Sequence, residues 1–173
     1  MFSTDAWTTS NLIRVFGHVE WRPSAQWTLN AGAMYEKTSL TAGAFSPRVA
    51  ANWEFLAGQT LRTSWSRAER TPSLLEARWD QTIFGGPYVV AKLTVPSPNV
   101  VAESADSREI AYIGEFPSAN LSVDLRRFKD HLTDLIGRQL VPYVVTYPFV
   151  GAQNIGSTNW INIYRVDMTG TEF

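Results

Sequence analysis

Apolar and polar residues alternate one for one through seven separate stretches of this chain. From Leu12 to Trp21, the residues Ile13, Val15, Gly17, Val19 and Trp21 fall on one side, and Arg14, His18 and Glu20 on the other. From Gln26 to Glu36, Trp27, Leu29, Ala31, Ala33 and Tyr35 oppose Thr28, Asn30, Gly32 and Glu36. The same pattern runs through Pro47–Phe55, Thr60–Glu69 and Ser107–Phe116. Only extended backbone places residues i and i+2 on one face, so these are strands with one apolar and one polar side. Two further stretches are less regular. Leu121–Asp130 begins with Leu121, Val123 and Leu125 against Ser122, Asp124 and Arg126, then slips at Arg127-Phe128. Asn159–Phe173 is long and only partly alternating.

The connections alternate as strictly as the residues. Arg22–Ala25, Leu56–Gln59 and Pro117–Asn120 are tight and carry Pro, Gly or Asn, which turn a chain sharply. Lys37–Ser46, Arg70–Asp106 and His131–Thr158 are long. In an up-and-down sheet this gathers the short turns at one end and the long loops at the other, the asymmetry of a transmembrane β-barrel. Strands of about 9–11 residues suit a tilted crossing. Leu12 then begins a strand descending toward the short turns, and the chain ends on their side. Trp21, Trp27, Phe55 and Phe116 cluster beside the tight turns, and Tyr35 and Phe45 flank the first long loop, as interfacial aromatic girdles would.

Composition bears on what the apolar face meets. The charged share is 18%, against about 25% in ordinary soluble domains, and the chain holds 7 Trp. That balance fits a surface turned partly away from water. Arg14, Glu20, Glu36, Arg48, Glu54 and Arg62 line the opposite face, which suits a wet lumen. The competing architecture is a soluble β-sandwich or lipocalin-like binding module, with Trp21, Trp27 and Trp53 in its core. A porin-type barrel that works without energy coupling is the other alternative. No apolar run reaches the length of about 18 residues a membrane helix needs. Residues Met1 to Trp7 lack a basic and then apolar leader pattern, so the chain is expected to carry no export leader of its own.

Several motifs, taken in order, resemble the TonB-dependent outer-membrane receptors. Phe45-Ser46-Pro47-Arg48-Val49-Ala50-Ala51-Asn52-Trp53-Glu54 resembles that family's Ser-Pro-Arg strand. Leu61 to Glu76 is similar to its strand ending in Arg-x-Pro and opening into a loop, here Arg70-Thr71-Pro72. Glu103 and Ser107-Arg108-Glu109-Ile110-Ala111-Tyr112 resemble the Pro-Glu…Ser-x-Glu-Ile-Gly-Tyr strand, with Ala102 where Pro is usual and Ala111 where Gly is usual. Asp130 and Asp134-Leu135-Ile136 look like the end of the next strand. Asn154-Ile155-Gly156 and Gly170-Thr171-Glu172 resemble the Asn-x-Gly…Gly-x-Glu pair that follows.

The resemblance implies an all-β, antiparallel, up-and-down transmembrane β-barrel. Residues 1–173 would supply about seven strands of the roughly 22 in such a barrel, with the plug domain and remaining strands absent. It implies a receptor and transporter in the outer membrane of a Gram-negative bacterium. The nutrient taken up would be a ferric siderophore or similar metal chelate. The partners would be outer-membrane lipid, that extracellular ligand, and the TonB complex acting through the missing plug.

Enzymatic chemistry finds no foothold. His18 and His131 lie far apart with no carboxylate at metal-ligand spacing, no phosphate-binding loop is present, and no serine stands in a Gly-x-Ser-x-Gly elbow. Absent cysteine removes thiolate catalysis and cysteine-ligated metals. No cofactor is expected. A net charge of -1 speaks against nucleic-acid binding. Asp130 and Asp134 read as solvated loop charges. The candidate ligand contacts are Arg67, Arg70 and Arg78 at the start of the longest loop, with Trp79 and Tyr88. Arginine presents several donors to an anionic or catecholate-type group, and the aromatics can stack on planar ones. The competing reading of these residues is interfacial and loop charge facing lipopolysaccharide or water.

Overall fold

The computed structural model describes residues 9–39 and 43–173. Residues 1–8, which include the Met1–Trp7 stretch read for a leader, and residues 40–42 of the first long connection lie outside the described residues. In chain order the elements are β1 (Leu12–Ser24), β2 (Trp27–Thr38), β3 (Ala44–Leu56), β4 (Gln59–Arg70), helix α1 (Leu74–Arg78), β5 (Gln81–Gly85), β6 (Tyr88–Thr94), β7 (Glu103–Phe116), β8 (Leu121–Val141), β9 (Val144–Tyr147), β10 (Gly151–Asn154) and β11 (Ser157–Glu172). The main sheet runs β1-β2-β3-β4-β7-β8-β11, with β6 and β5 joined to β11 through a single parallel bridge. Its seven long strands are the seven alternating stretches of the sequence, all paired antiparallel.

The tight turns form where the backbone demands it. Gly58, at φ +74°, closes the β3–β4 turn, a conformation that costs glycine little. Asn120, at φ +49°, ends the 3₁₀ turn Pro117–Ala119 between β7 and β8; Asn tolerates this left-handed region better than most residues. All three turns lie at one end of the sheet.

A single-layer wall has no interior to fill. Among the described residues the buried hydrophobics are only Ala44, Ala77, Val100 and Ala111. Trp21, Val15 and Phe16 are more than three-fifths exposed, which a soluble sheet of this size would avoid. The outer edge of β1 has no partner among the described residues. In lipid an open edge leaves backbone donors and acceptors unsatisfied, so a closed barrel needs further strands.

Two sequence expectations are corrected. The long connections are not simple loops. Residues 71–102 hold α1 and the β5–β6 hairpin. Much of 131–158 is strand, because β8 continues to Val141 and β9–β10 forms a second hairpin. Asp130 and Asp134 therefore sit within a strand, not in a loop. Asp134 adopts φ +57° there. The partial alternation of β11 also has a cause: its register with β8 shifts between Asn162 and Tyr164 and again between Tyr164 and Val166. Each irregularity breaks the one-for-one order.

Candidate functional site

The loop end of the wall is built on Arg70, the last residue of β4. Its Nε donates to Glu103 at 2.5 Å, and its two terminal nitrogens donate to Glu76 at 3.0 and 3.1 Å. Glu103 also accepts the Ile136 N–H at 2.7 Å. One guanidinium thus ties β4 to β7 and α1, and through Glu103 to β8. Helix α1 starts on a capping box: the Ser73 hydroxyl accepts from Glu76 N–H and the Glu76 carboxylate accepts from Ser73 N–H. Partial burial pushes the Glu76 carboxyl up. The hydrogen bonds from Arg70 and from Ser73 outweigh that and hold it below the usual carboxylate range.

The start of the same loop is pinned from the other side. Glu36 of β2 accepts from Arg14 of β1 at 2.5 and 2.9 Å and from the Thr71 hydroxyl at 2.5 Å. Further along, buried Lys92 donates to Asp80 and Thr82 and lies 5.5 Å from the Tyr143 ring. Tyr147 donates to the Val89 carbonyl at 2.8 Å. These contacts join the two loop hairpins into an ordered cap over the strand ends.

Below the cap, the polar face carries charges of alternating sign. Arg62 and Arg126 flank Glu109 at 3.8 and 3.7 Å, and Arg126 reaches Glu172 at 3.5 Å. Ala111, 4% exposed, lies between its ladder partners Arg62 and Arg126. A residue this small leaves room for both side chains. Arg48 has no ion-pair partner among the described residues. With Asn30, Asn52, Arg62, Ser64 and Ser66 it lines a recess of about 450 Å³. Ion pairs of this exposure add about 1 kcal/mol or less each. Their result is a hydrated wall, and nothing in their geometry activates a nucleophile or transfers a proton. No cluster of three or more metal-ligating side chains occurs among the described residues.

The five candidate contacts do not converge on one point. Arg67 and Arg70 lie on opposite faces of β4, because their positions differ by an odd number. Arg67 pairs with Glu69 at 3.1 Å, and Arg70 is held by its two carboxylates. Arg78 ends α1 and is exposed; Trp79 caps the helix and donates its backbone N–H to the Leu75 carbonyl at 3.3 Å. Tyr88 opens β6 and is 42% exposed. The sequence reading missed Glu76 and Glu103 as the partners that fix Arg70. The Ser73-x-x-Glu76 spacing was the available signal for the first.

A one-layer antiparallel wall, apolar on one face, charged on the other and capped at one end, is a section of a membrane barrel. A family model described as the TonB dependent receptor-like β-barrel matches residues 2–173. The chain belongs to that family. The barrels of TonB-dependent receptors are outer-membrane proteins of Gram-negative bacteria, and the family consists of transport receptors, not enzymes. Among solved structures, this receptor-barrel section is similar to the siderophore receptor PirA of Acinetobacter baumannii (12% identity, TM-score 0.72, 94% of this chain and 25% of that one). It is also similar to the ferric enterobactin receptor PfeA of Pseudomonas aeruginosa (15%, 0.75, 94% and 24%). A third is the hemophore receptor HasR of Serratia marcescens, solved with its hemophore HasA and heme (13%, 0.68, 94% and 31%). At these identities the likeness establishes the fold. The chain spans between 24% and 31% of the length of these structures. A search of curated proteins found no match.

Proposed function

We propose that residues 1–173 form one section of the wall of a TonB-dependent receptor in the outer membrane, working with a plug domain and further strands to take up a scarce nutrient. The substrate class we assign is a ferric siderophore or similar metal chelate. The observation that carries this reading is the division of the seven-strand sheet into an apolar face and a face lined by Arg48, Arg62, Glu109 and Arg126, with every structured loop at one end. Such a wall separates lipid from a hydrated path and offers a cap for capture. The siderophore and heme receptors among its structural relatives support the substrate class.

Within this reading Arg78, Trp79 and Tyr88 are the proposed ligand contacts on the cap, and Arg67 is a rim residue. Arg70 holds the cap in place. The test is uptake of radiolabelled iron from a panel of siderophores and heme in cells with this gene intact or disrupted, each with and without a working TonB complex. Loss of uptake of one chelate on disruption, matched by loss on removing TonB, is the expected result. Unchanged uptake of the whole panel overturns the assignment. Uptake that needs the gene but not TonB would favour the porin-type barrel.

A further inference from the structure

The slip in alternation at Arg127-Phe128 is not a slip in the sheet. The β7–β8 ladder is unbroken from Ser104↔Thr133 to Phe116↔Leu121, and Glu109 is the ladder partner of Phe128. Phe128 and Leu132 therefore stand on the same face as Arg126, the face that also carries Arg62 and Glu109. Their ladder partners on β11 are Gly170 and Val166, with Met168 between them. Tyr164 is the next alternate residue toward the loops. The hydrated face of the wall thus turns apolar over the loop-side half of its last two strands.

The patch is open and its rings are seated. Tyr164 is 55% exposed, Met168 43% and Val166 39%. A Cβ on Gly170 would lie 2.6 Å from the Phe128 Cε1, and one on Gly137 would lie 3.1 Å from the Tyr164 Cδ2. Each ring therefore lies across a glycine of the neighbouring strand, in the space a side chain would fill. Seated there, the two rings run along the wall and keep a side toward the lumen. The patch also adjoins the cap. Asn162, two residues before Tyr164, accepts from the Val101 N–H at 2.9 Å and donates to the Val101 carbonyl at 3.1 Å. That ties the longest connection down at the loop-side end of the patch. Asp130, the ladder partner of Met168, is the one charged side chain inside it.

We propose that this patch selects the chelate beneath the cap, and that it takes metal chelates built on flat unsaturated rings, catecholates or tetrapyrroles, over aliphatic hydroxamate or hydroxycarboxylate chelates. Ring faces pack on rings in offset or edge-on contact, and the Met168 thioether packs well against an aromatic edge. An aliphatic chelate offers nothing to stack, and a hydroxycarboxylate brings further negative charge against Asp130. Arg126, beside Phe128 on the same face, offers a cation to the anionic edge of a ring chelate. The inference rests on the reading of the chain as a receptor wall and narrows the substrate class assigned there.

The test is binding to the complete receptor carrying these strands, purified in mild detergent, with three probes: iron(III) protoporphyrin, a ferric tris-catecholate and a ferric trihydroxamate. One of the ring chelates should bind, and which one binds tells tetrapyrrole from catecholate. The trihydroxamate should bind about tenfold more weakly, for want of two stacking contacts. Phe128→Leu and Tyr164→Leu should each weaken the ring chelate about fivefold, the loss of one such contact, while Tyr164→Phe keeps it. Preference for the trihydroxamate, or ring-chelate affinity unchanged in both leucine variants, overturns the proposal. Should the leucine variants fail to assemble, Met168→Cys in an otherwise cysteine-free receptor gives a second readout with a small methanethiosulfonate. Bound ring chelate must slow its labelling. A cysteine that does not label before the chelate is added shows that another part of the receptor covers the patch, and labelling equal with and without the chelate shows that the ligand lies elsewhere; either result overturns the proposal. TonB-dependent uptake of the trihydroxamate separates the two readings, because it leaves the receptor assignment standing while this inference falls.

Discussion

Arg70 and Glu103 meet at 2.5 Å across the whole length of the longest connection, the last residue of β4 against the first of β7. The contact clasps the loop at its base, and the same arginine holds α1 through Glu76. Replacing Arg70 with Gln keeps a donor but removes the charge and the fork that serves two carboxylates at once. The side chain is half exposed, so the loss is modest, about 1 kcal/mol after solvent screening. It should appear as faster amide exchange in α1 and faster protease cleavage within residues 71–102, with the wall strands unaffected. Protection in α1 that is unchanged in the variant would show that the clasp is incidental.

Acid should release the same helix. The folded-state carboxyl of Glu76 lies below its ordinary value of 4.5. A carboxylate depressed by folding contributes stability that is full above its unfolded value and is lost as pH falls through its folded value. Exchange protection of α1 should therefore hold at neutral pH and decline below about pH 4, the ordinary carboxylate range. Glu76→Gln should be less protected at neutral pH and show a flatter pH profile. A wild-type profile as flat as the variant's would refute the assignment.

Gly32 makes room for an arginine. A methyl group there would sit 3.1 Å from the Gly17 carbonyl oxygen, 3.1 Å from the His18 Cβ and 3.2 Å from the Arg48 Nε. Two of those neighbours are backbone or Cβ atoms that cannot step aside. Gly32→Val should therefore cost about 1–3 kcal/mol, the usual range for overpacking, read as a lower urea midpoint of the refolded protein. Arg48→Ala should recover part of the loss in the double variant, because only the arginine contact is removed. Strict additivity of the two substitutions would rule out the contact.

What the sequence made legible follows from what period two encodes. Trp27 pairs with Trp53, and Arg62 with Ala111, because alternation assigns each side chain a face and tight turns fix the neighbours. The loop end was opaque for a physical reason. Buried Lys92 meets Asp80, Thr82 and Tyr143, which come from two segments distant from it in sequence, and no local periodicity announces such a meeting. The β11 irregularities were visible only as weakened alternation, since a bulge changes pairing without a composition of its own. At Arg127-Phe128 the alternation failed although the ladder did not. There the chemistry of the face changed while its geometry stayed constant, and only the register could separate the two.

Trp27 and Trp53 report where the wall meets the membrane surface. They are ladder partners on the apolar face, beside the short turns, with ring centroids 5.5 Å apart and planes 8° from parallel. Tryptophan favours the level of the headgroups, where its ring is sheltered and its N–H is wet. In vesicles with lipids brominated at defined depths, the fluorescence lost on replacing Trp27 or Trp53 with Phe should belong to the fraction quenched by shallow bromines. Stacking adds about 0.5–1.5 kcal/mol beyond buried area, so either substitution should also lower the unfolding midpoint, and the second should cost less once the first is made. Quenching strongest at the bilayer centre would shift the short turns into hydrocarbon, where their unpaired backbone groups could not be satisfied, and the placement of the wall in the membrane would have to be abandoned.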